Sequence, residues 1–154
     1  MSLAAVNLPK YATTLNGGVC QLGVSGTTVG ATALGVDGIA ADAKVCYTAG
    51  AYGGMVESLM ASSTDTAAVN VFVYILSGTT VHPLGIVNVP LSSGNAASVL
   101  NVDLINGIVG LPVNSVGKKY IPLQGGMSIK VAVLAAMTAN KILWVKSLGV
   151  DYVA

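Results

Sequence analysis

A chain of 154 residues that is 53% apolar and 8% charged, with seven lysines, no arginine and six carboxylates, is long enough for one domain that buries about 70% of its unfolded surface. A net charge of +1 excludes nucleic acid as the main partner, because neutralising phosphates takes clustered cations, and the high apolar content excludes intrinsic disorder. The longest apolar runs, Val131 to Met137 among them, fall far short of the roughly 20 residues that cross a bilayer, so no membrane partner is expected.

Met1 to Tyr11 has no basic n-region and too short an apolar stretch for a signal peptide. Residues 1 to 54 then hold ten of the 19 glycines. Seven of these fall between Gly17 and Gly38 and interrupt apolar pieces such as Val19 to Val24. This pattern predicts an extended Gly-rich N-terminal arm over residues 1–48, with one or two short strands. Glycines make such a segment costly to order, by about 0.5–1 kcal/mol each relative to alanine in a regular element. It therefore orders by gaining contacts, and Leu34, Val36 and Ile39 are the residues expected to dock on neighbouring subunits. Ile39 to Val45 has the composition for a helical turn.

From residue 49 to 154 the pattern predicts a β-sandwich domain. Lys44 to Thr48 and Met55 to Ser62 read as strands with Gly50 to Gly54 turning between them. Val69 to Leu76 and Val81 to Val89, separated by Ser77-Gly78-Thr79-Thr80, carry a hairpin signal. Pro83 marks the second of these as an edge or bulged strand, and Pro90 ends it. Further strands are predicted at Ser98 to Ile105, Tyr120 to Leu123, Met127 to Leu134 and Lys141 to Val150, with Thr138-Ala139-Asn140 turning the last pair. Ile142 and Trp144 alternate with Leu143 and Val145, which predicts a strand covered on both faces and a core position for Trp144. Seven to nine short strands with Gly/Asn/Ser punctuation indicate an all-β fold, an antiparallel β-sandwich or jelly roll.

A chemistry is harder to find. His82, the one histidine, lacks a nucleophile and an orienting carboxylate at any recognisable spacing. A Cys46–His82 nucleophilic pair rests on residue identity alone. Cys20 and Cys46 lie 26 positions apart, and with one histidine they make a poor zinc set, since such sites want four N/S ligands or three plus water. Two reduced, buried thiols are expected of a β-domain made inside a cell; a disulfide is the alternative. Asp37, Asp42, Glu57, Asp65, Asp103 and Asp151 are scattered, and Asp37 and Asp65 have turn neighbours. A glycosidase would need two of them facing across a cleft. Lys118-Lys119 beside Gly117 reads as a solvated loop, and neither GxGxxG after a strand nor GxxxxGK[ST] is present. The expectation is a protein that is not an enzyme, with no catalytic, cofactor-binding or metal residues and no cofactor.

The surface must come from uncharged polar groups: Ser, Thr and Asn number 32 against 13 charged residues. Small polar side chains and a net charge near zero favour association, which suits a subunit packed against neighbours.

Two longer stretches carry a resemblance. Ala49-Gly50-Ala51-Tyr52-Gly53-Gly54-Met55-Val56-Glu57-Ser58-Leu59 and Val71-Phe72-Val73-Tyr74-Ile75-Leu76-Ser77-Gly78-Thr79-Thr80 resemble a small β-sandwich virion protein family of tailed bacteriophages. Val87-Asn88-Val89-Pro90, Ile121-Pro122-Leu123-Gln124-Gly125-Gly126 and Gly149-Val150-Asp151-Tyr152 are similar to the same pattern, which spans residues 49 to 152. The resemblance implies a capsid decoration (cement) subunit on the virion surface, made in the host cytoplasm. Its implied partners are the major capsid protein and copies of itself, as a dimer or trimer. Alternatives are a tail or fibre component, or a carbohydrate-binding module. The last needs exposed aromatics lining one face or loop end, and Tyr11, Tyr47, Tyr52, Phe72, Tyr74, Tyr120, Trp144 and Tyr152 do not cluster in sequence.

Overall fold

The computed structural model describes residues 11–23 and 43–153. Among these the chain is almost all β, and two antiparallel sheets pack face to face, the all-β sandwich that the strand spacing predicts. In chain order the strands are β1 (Tyr11–Leu22), β2 (Lys44–Thr48), β3 (Gly54–Ser63), β4 (Val69–Ser77), β5 (Thr80–Val89) and β6 (Val102–Asp103), followed by the one-turn helix α1 (Leu104–Gly107), then β7 (Ile121–Leu123), β8 (Ser128–Val133) and β9 (Leu143–Val153). The first sheet runs β1-β9-β3-β6, with β7 also on β3; the second runs β2-β8-β4-β5.

Alternation builds the core. Val56, Leu59 and Ala61 of β3 and Leu143 and Val145 of β9 face inward from the first sheet. Val71 and Val73 of β4 and Ile129, Val131 and Val133 of β8 meet them from the second. All ten are essentially inaccessible to solvent. Leu104, Ile105 and Ile108 plug the same core from around α1. Asp103 starts that turn by accepting from the Ile105 amide at 3.0 Å, which is N-capping by a short carboxylate. This local preference breaks the strand expected over Ser98 to Ile105, leaving a bridge from Ala96 to Val99 and the two residues of β6.

The β4–β5 hairpin forms, with Ser77 opposite Thr80. The strands run closer to the turn than the sequence implies, leaving only Gly78-Thr79 between them, with Gly78 at φ +61°. Pro83 does sit in an edge strand next to an irregularity: Val73 faces Gly85 and Tyr74 faces Pro83, so Leu84 is bulged. Thr138 to Lys141 does turn, through Lys141 N–H to Thr138 C=O at 3.1 Å. It does not make a hairpin, because β8 and β9 belong to different sheets. Both faces of β9 are not covered either: Leu143 and Val145 are buried, while Trp144 lies on the outer face and is half-buried. The strand covered on both sides is β4, whose outward Phe72 and Tyr74 stack at 5.1 Å between centroids and are buried with Ala132.

Residues 11–22 and 44–48 depart from an arm outside the sandwich. β1 pairs with β9 over its whole length and β2 pairs with β8, so each sheet takes an edge strand from the segment before residue 49. Gly17 and Gly18 here serve close approach rather than flexibility. A Cβ on Gly17 would lie 2.8 Å from the Ser147 carbonyl oxygen, and one on Gly18 would lie 2.7 Å from that of Cys46. Lys44 and Val45 are strand, not helical turn; the rest of that turn, from Ile39 to Asp42, lies outside the described residues.

The thiols correct the sequence reading. Cys20 and Cys46 are not reduced; they form a disulfide across the two sheets, with Cα atoms 5.1 Å apart. The reason is topological. β1 and β2 are edge strands of facing sheets on the same side of the sandwich, and their contact places the two buried cysteines side by side.

Candidate functional site

Among the described residues, the outer face of the first sheet carries an exposed apolar surface built on regular structure. Strand register puts Leu15, Val150 and Met55 in one row across β1, β9 and β3. The next rows are Gly17, Leu148 and Ser58, then Val19, Lys146 and Met60, then Gln21, Trp144 and Ser62. Leu15 is 72% exposed, Val19 60% and Leu148 48%. The small residues Gly17, Gly18 and Ser58 open a groove of about 480 Å³ along the middle rows, with Lys146 and Leu148 on its wall. Lys146 is the charged side chain in the paired rows, and Glu57, the extra residue of the β3 bulge, sits half-buried beside Ser58 opposite Leu148. The face is therefore largely apolar, with one charge of each sign, and held on paired strands.

Below it the same strands are fixed by buried polar bonds. Ser147, on the inner side of β9, donates to the Cys46 carbonyl at 2.6 Å and accepts from the Gly18 amide at 3.0 Å. Asp151 accepts from the Tyr47 hydroxyl at 2.7 Å and the Asn16 amide at 2.8 Å. Burial, then the Asp151 hydrogen bond and charge, push the Tyr47 phenol well above its ordinary value, so it stays a donor across the physiological range. These contacts tie β1, β2 and β9 into one unit and hold the groove's shape.

A second exposed apolar group lies on the long connection between β5 and β7. Leu91, Leu100, Val109, Val113 and Val116 all project into solvent. Asn114 shapes its tip by accepting from the Val116 and Lys118 amides. Lys119 staples its base, donating to the Asn106 and Ile108 carbonyls at 3.0 and 2.6 Å.

Of the residues weighed for chemistry, Cys46, Asp65, Asp103 and Asp151 go to structural tasks. Cys46 is in the disulfide on edge strand β2, while His82 is exposed on β5, the opposite edge of that sheet; the Cys46–His82 pair does not exist. Asp65 is buried. Burial alone would raise its pKa, but hydrogen bonds from the Thr138 hydroxyl and amide and from the Ala67 amide hold it below the ordinary carboxylate value. Asp103 caps α1 and Asp151 anchors Tyr47. Among the described residues no three His, Cys, Asp or Glu side chains converge to hold a metal ion, and no helix is long and apolar enough to cross a membrane. Leu34, Val36 and Ile39, the docking residues expected from the sequence, lie outside the described residues, as do Asp37 and Asp42. The face of Leu15, Val19 and Leu148 escapes a reading of the sequence, because Gly17-Gly18 masks the alternation of β1 and because Trp144 implies a core strand.

Comparison of the chain with protein-family models, with curated proteins and with solved structures finds no match.

Proposed function

We propose that the protein is a non-enzymatic virion subunit that decorates and cements the capsid surface of a tailed bacteriophage, contacting the major capsid protein and further copies of itself. The observation that carries this reading is the open, largely apolar face of Leu15, Val19 and Leu148 on paired strands. Exposed apolar patches of this kind mark protein contacts. The resemblance over residues 49 to 152 adds to it, as does the shortage of charge over the whole surface.

Size favours a lattice over a single partner. Three strands and four rows at ordinary sheet spacings cover roughly 400 Å², about half of the ~800 Å² per partner in a stable pairwise complex. A subunit gripping several neighbours through this face and the loop of Val109, Val113 and Val116 gains from multivalency what each contact lacks. The disulfide fits a particle that leaves the cytoplasm, since such bonds persist in oxidising surroundings.

The test compares particles that carry the protein with particles stripped of it. Decorated capsids are expected to retain their DNA to a higher temperature, and re-addition of the purified protein is expected to restore that margin. Identical DNA release with and without the protein, or its absence from purified particles, contradicts the proposal.

A further inference from the structure

The fold brings together two tyrosines that lie a hundred residues apart in sequence. Tyr52, in the turn between β2 and β3, and Tyr152, near the end of β9, line one cavity of about 490 Å³ at the tip of the sandwich. Ala51, Leu123, Gln124 and Gly125 line it as well. Tyr52 is 50% exposed and Tyr152 half-buried, while Gln124 and Gly125 are exposed. Among the described residues no charged side chain is in this lining.

The cavity is held by backbone bonds and tight glycine contacts rather than by mobile side chains. The Gly53 amide donates to Gly50 C=O at 3.0 Å, and the Tyr152 amide donates to Gly53 C=O at 2.9 Å. Met127 N–H reaches Gln124 C=O at 3.1 Å. Gly53 has φ +89°, and any Cβ there would lie 2.6 Å from the Leu123 carbonyl oxygen. Gly125 likewise presses against Ala51 C=O, where a Cβ would collide. Asp151, next to Tyr152, is pinned by Tyr47 and Asn16. The backbone of the site is thus set before any ligand arrives, which reduces the ordering cost of binding.

We infer that this cleft is a binding site for a neutral saccharide, one or two pyranose rings in length. A pyranose has an apolar C–H face and a rim of hydroxyls. Tyrosine presents a flat apolar ring with a polar tip, and the Gln124 amide offers two donors and an acceptor, which match adjacent hydroxyls. A nucleotide would also stack on the rings, but among the described lining residues its phosphates would find no cation. The saccharide reading does not rest on the capsid reading, so either stands if the other falls.

The experiment is an NMR titration of the isotope-labelled full chain with maltotriose, cellotriose and chitotriose, with sialyllactose as a charged comparison. Saturable shifts at Tyr52, Gln124, Gly125 and Tyr152 are expected with at least one neutral probe. Tyr52→Ala should weaken that binding about tenfold, and Gln124→Ala should change the preference among probes, with the rest of the spectrum unmoved in both. Tyr52→Phe, which keeps the ring, should lose less than Tyr52→Ala. The inference is overturned if no neutral probe gives saturable shifts, if only sialyllactose binds, or if Tyr52→Ala binds as the parent does.

Discussion

The two outer faces of the sandwich both carry apolar side chains but bury them to different extents. On the second sheet, Phe72, Tyr74 and Ala132 at the centre are buried, with Ala43, Leu76, Val81 and Leu134 packed against them, and exposure of large apolar side chains is confined, among the described residues, to Val45 and Ile86 on the edge strands. On the first, Leu15, Val19 and Leu148 stay open above a groove. Burying apolar area gains about 25 cal/mol per Å², so the centre of the second sheet's outer face adds to stability, while on the proposal above the first face is the one kept for contact.

The sharpest way to break that contrast is truncation on each side. Phe72→Ala should lose about 3–5 kcal/mol, the usual cost of emptying a buried aromatic position. Leu15→Ala and Leu148→Ala should stay within about 0.5 kcal/mol of the parent. Urea denaturation reads both, and equal losses on the two faces would remove the distinction.

The disulfide ties the two sheets at one side, across a sequence separation of 26. Limiting the freedom of a loop that long in the unfolded chain is worth about 3–4 kcal/mol in the chain-entropy account. The paired substitution Cys20→Ser with Cys46→Ser should lower the denaturation midpoint accordingly, and reductant should then have no further effect. A parent protein indifferent to reductant would contradict the bond's role.

Asp65 ties the β3–β4 connection to the β8–β9 connection by accepting from the Thr138 hydroxyl at 2.7 Å and its amide at 3.0 Å. Asp65→Asn should cost about 1.5–3 kcal/mol at neutral pH, the range for hydrogen bonds to a charged group. Because its native pKa is depressed, its contribution is present above the unfolded value of about 3.9 and disappears as pH falls through the lower native value. Stability curves of parent and variant should therefore converge in acid. Curves that stay parallel from neutral pH down to that window would show that the carboxylate charge is not what matters.

A smaller effect belongs to Tyr74. Its hydroxyl is buried with no hydrogen-bond partner among the described residues, and burial raises its pKa. Removing an unpaired polar group is neutral or favourable, so Tyr74→Phe should change stability by no more than about 1 kcal/mol, in the stabilising direction. A clear loss in thermal denaturation would mean that the hydroxyl is paired in solution.

Much of the fold is legible in the residues. The β4–β5 hairpin announces itself through the Ser77-Gly78-Thr79-Thr80 turn, and Pro83 marks the edge strand because a proline cannot donate to a ladder. Sheet membership is not legible: Thr138 to Lys141 has turn chemistry, but only long-range packing makes it a crossover between sheets. Trp144 misleads for a related reason, since period-2 alternation gives two faces without saying which one meets the partner sheet. Cys20 and Cys46 pair only because β1 and β2 sit on the same side, a fact of topology absent from their spacing. The open face is hidden in the same way, because Leu15, Val19 and Leu148 become neighbours through the β1–β9 register. The site residues expected from the sequence, Leu34, Val36 and Ile39, lie outside the described residues.

The most direct test of the account is decoration of capsids by a Leu15→Asp, Leu148→Asp double variant. Both side chains are exposed, so the variant should fold with a urea midpoint close to the parent's, while two new carboxylates make the face hostile to an apolar partner. The account predicts that the folded variant no longer co-sediments with capsids that bind the parent protein. A variant that still decorates those capsids with unchanged affinity would contradict it and place the contact elsewhere on the molecule.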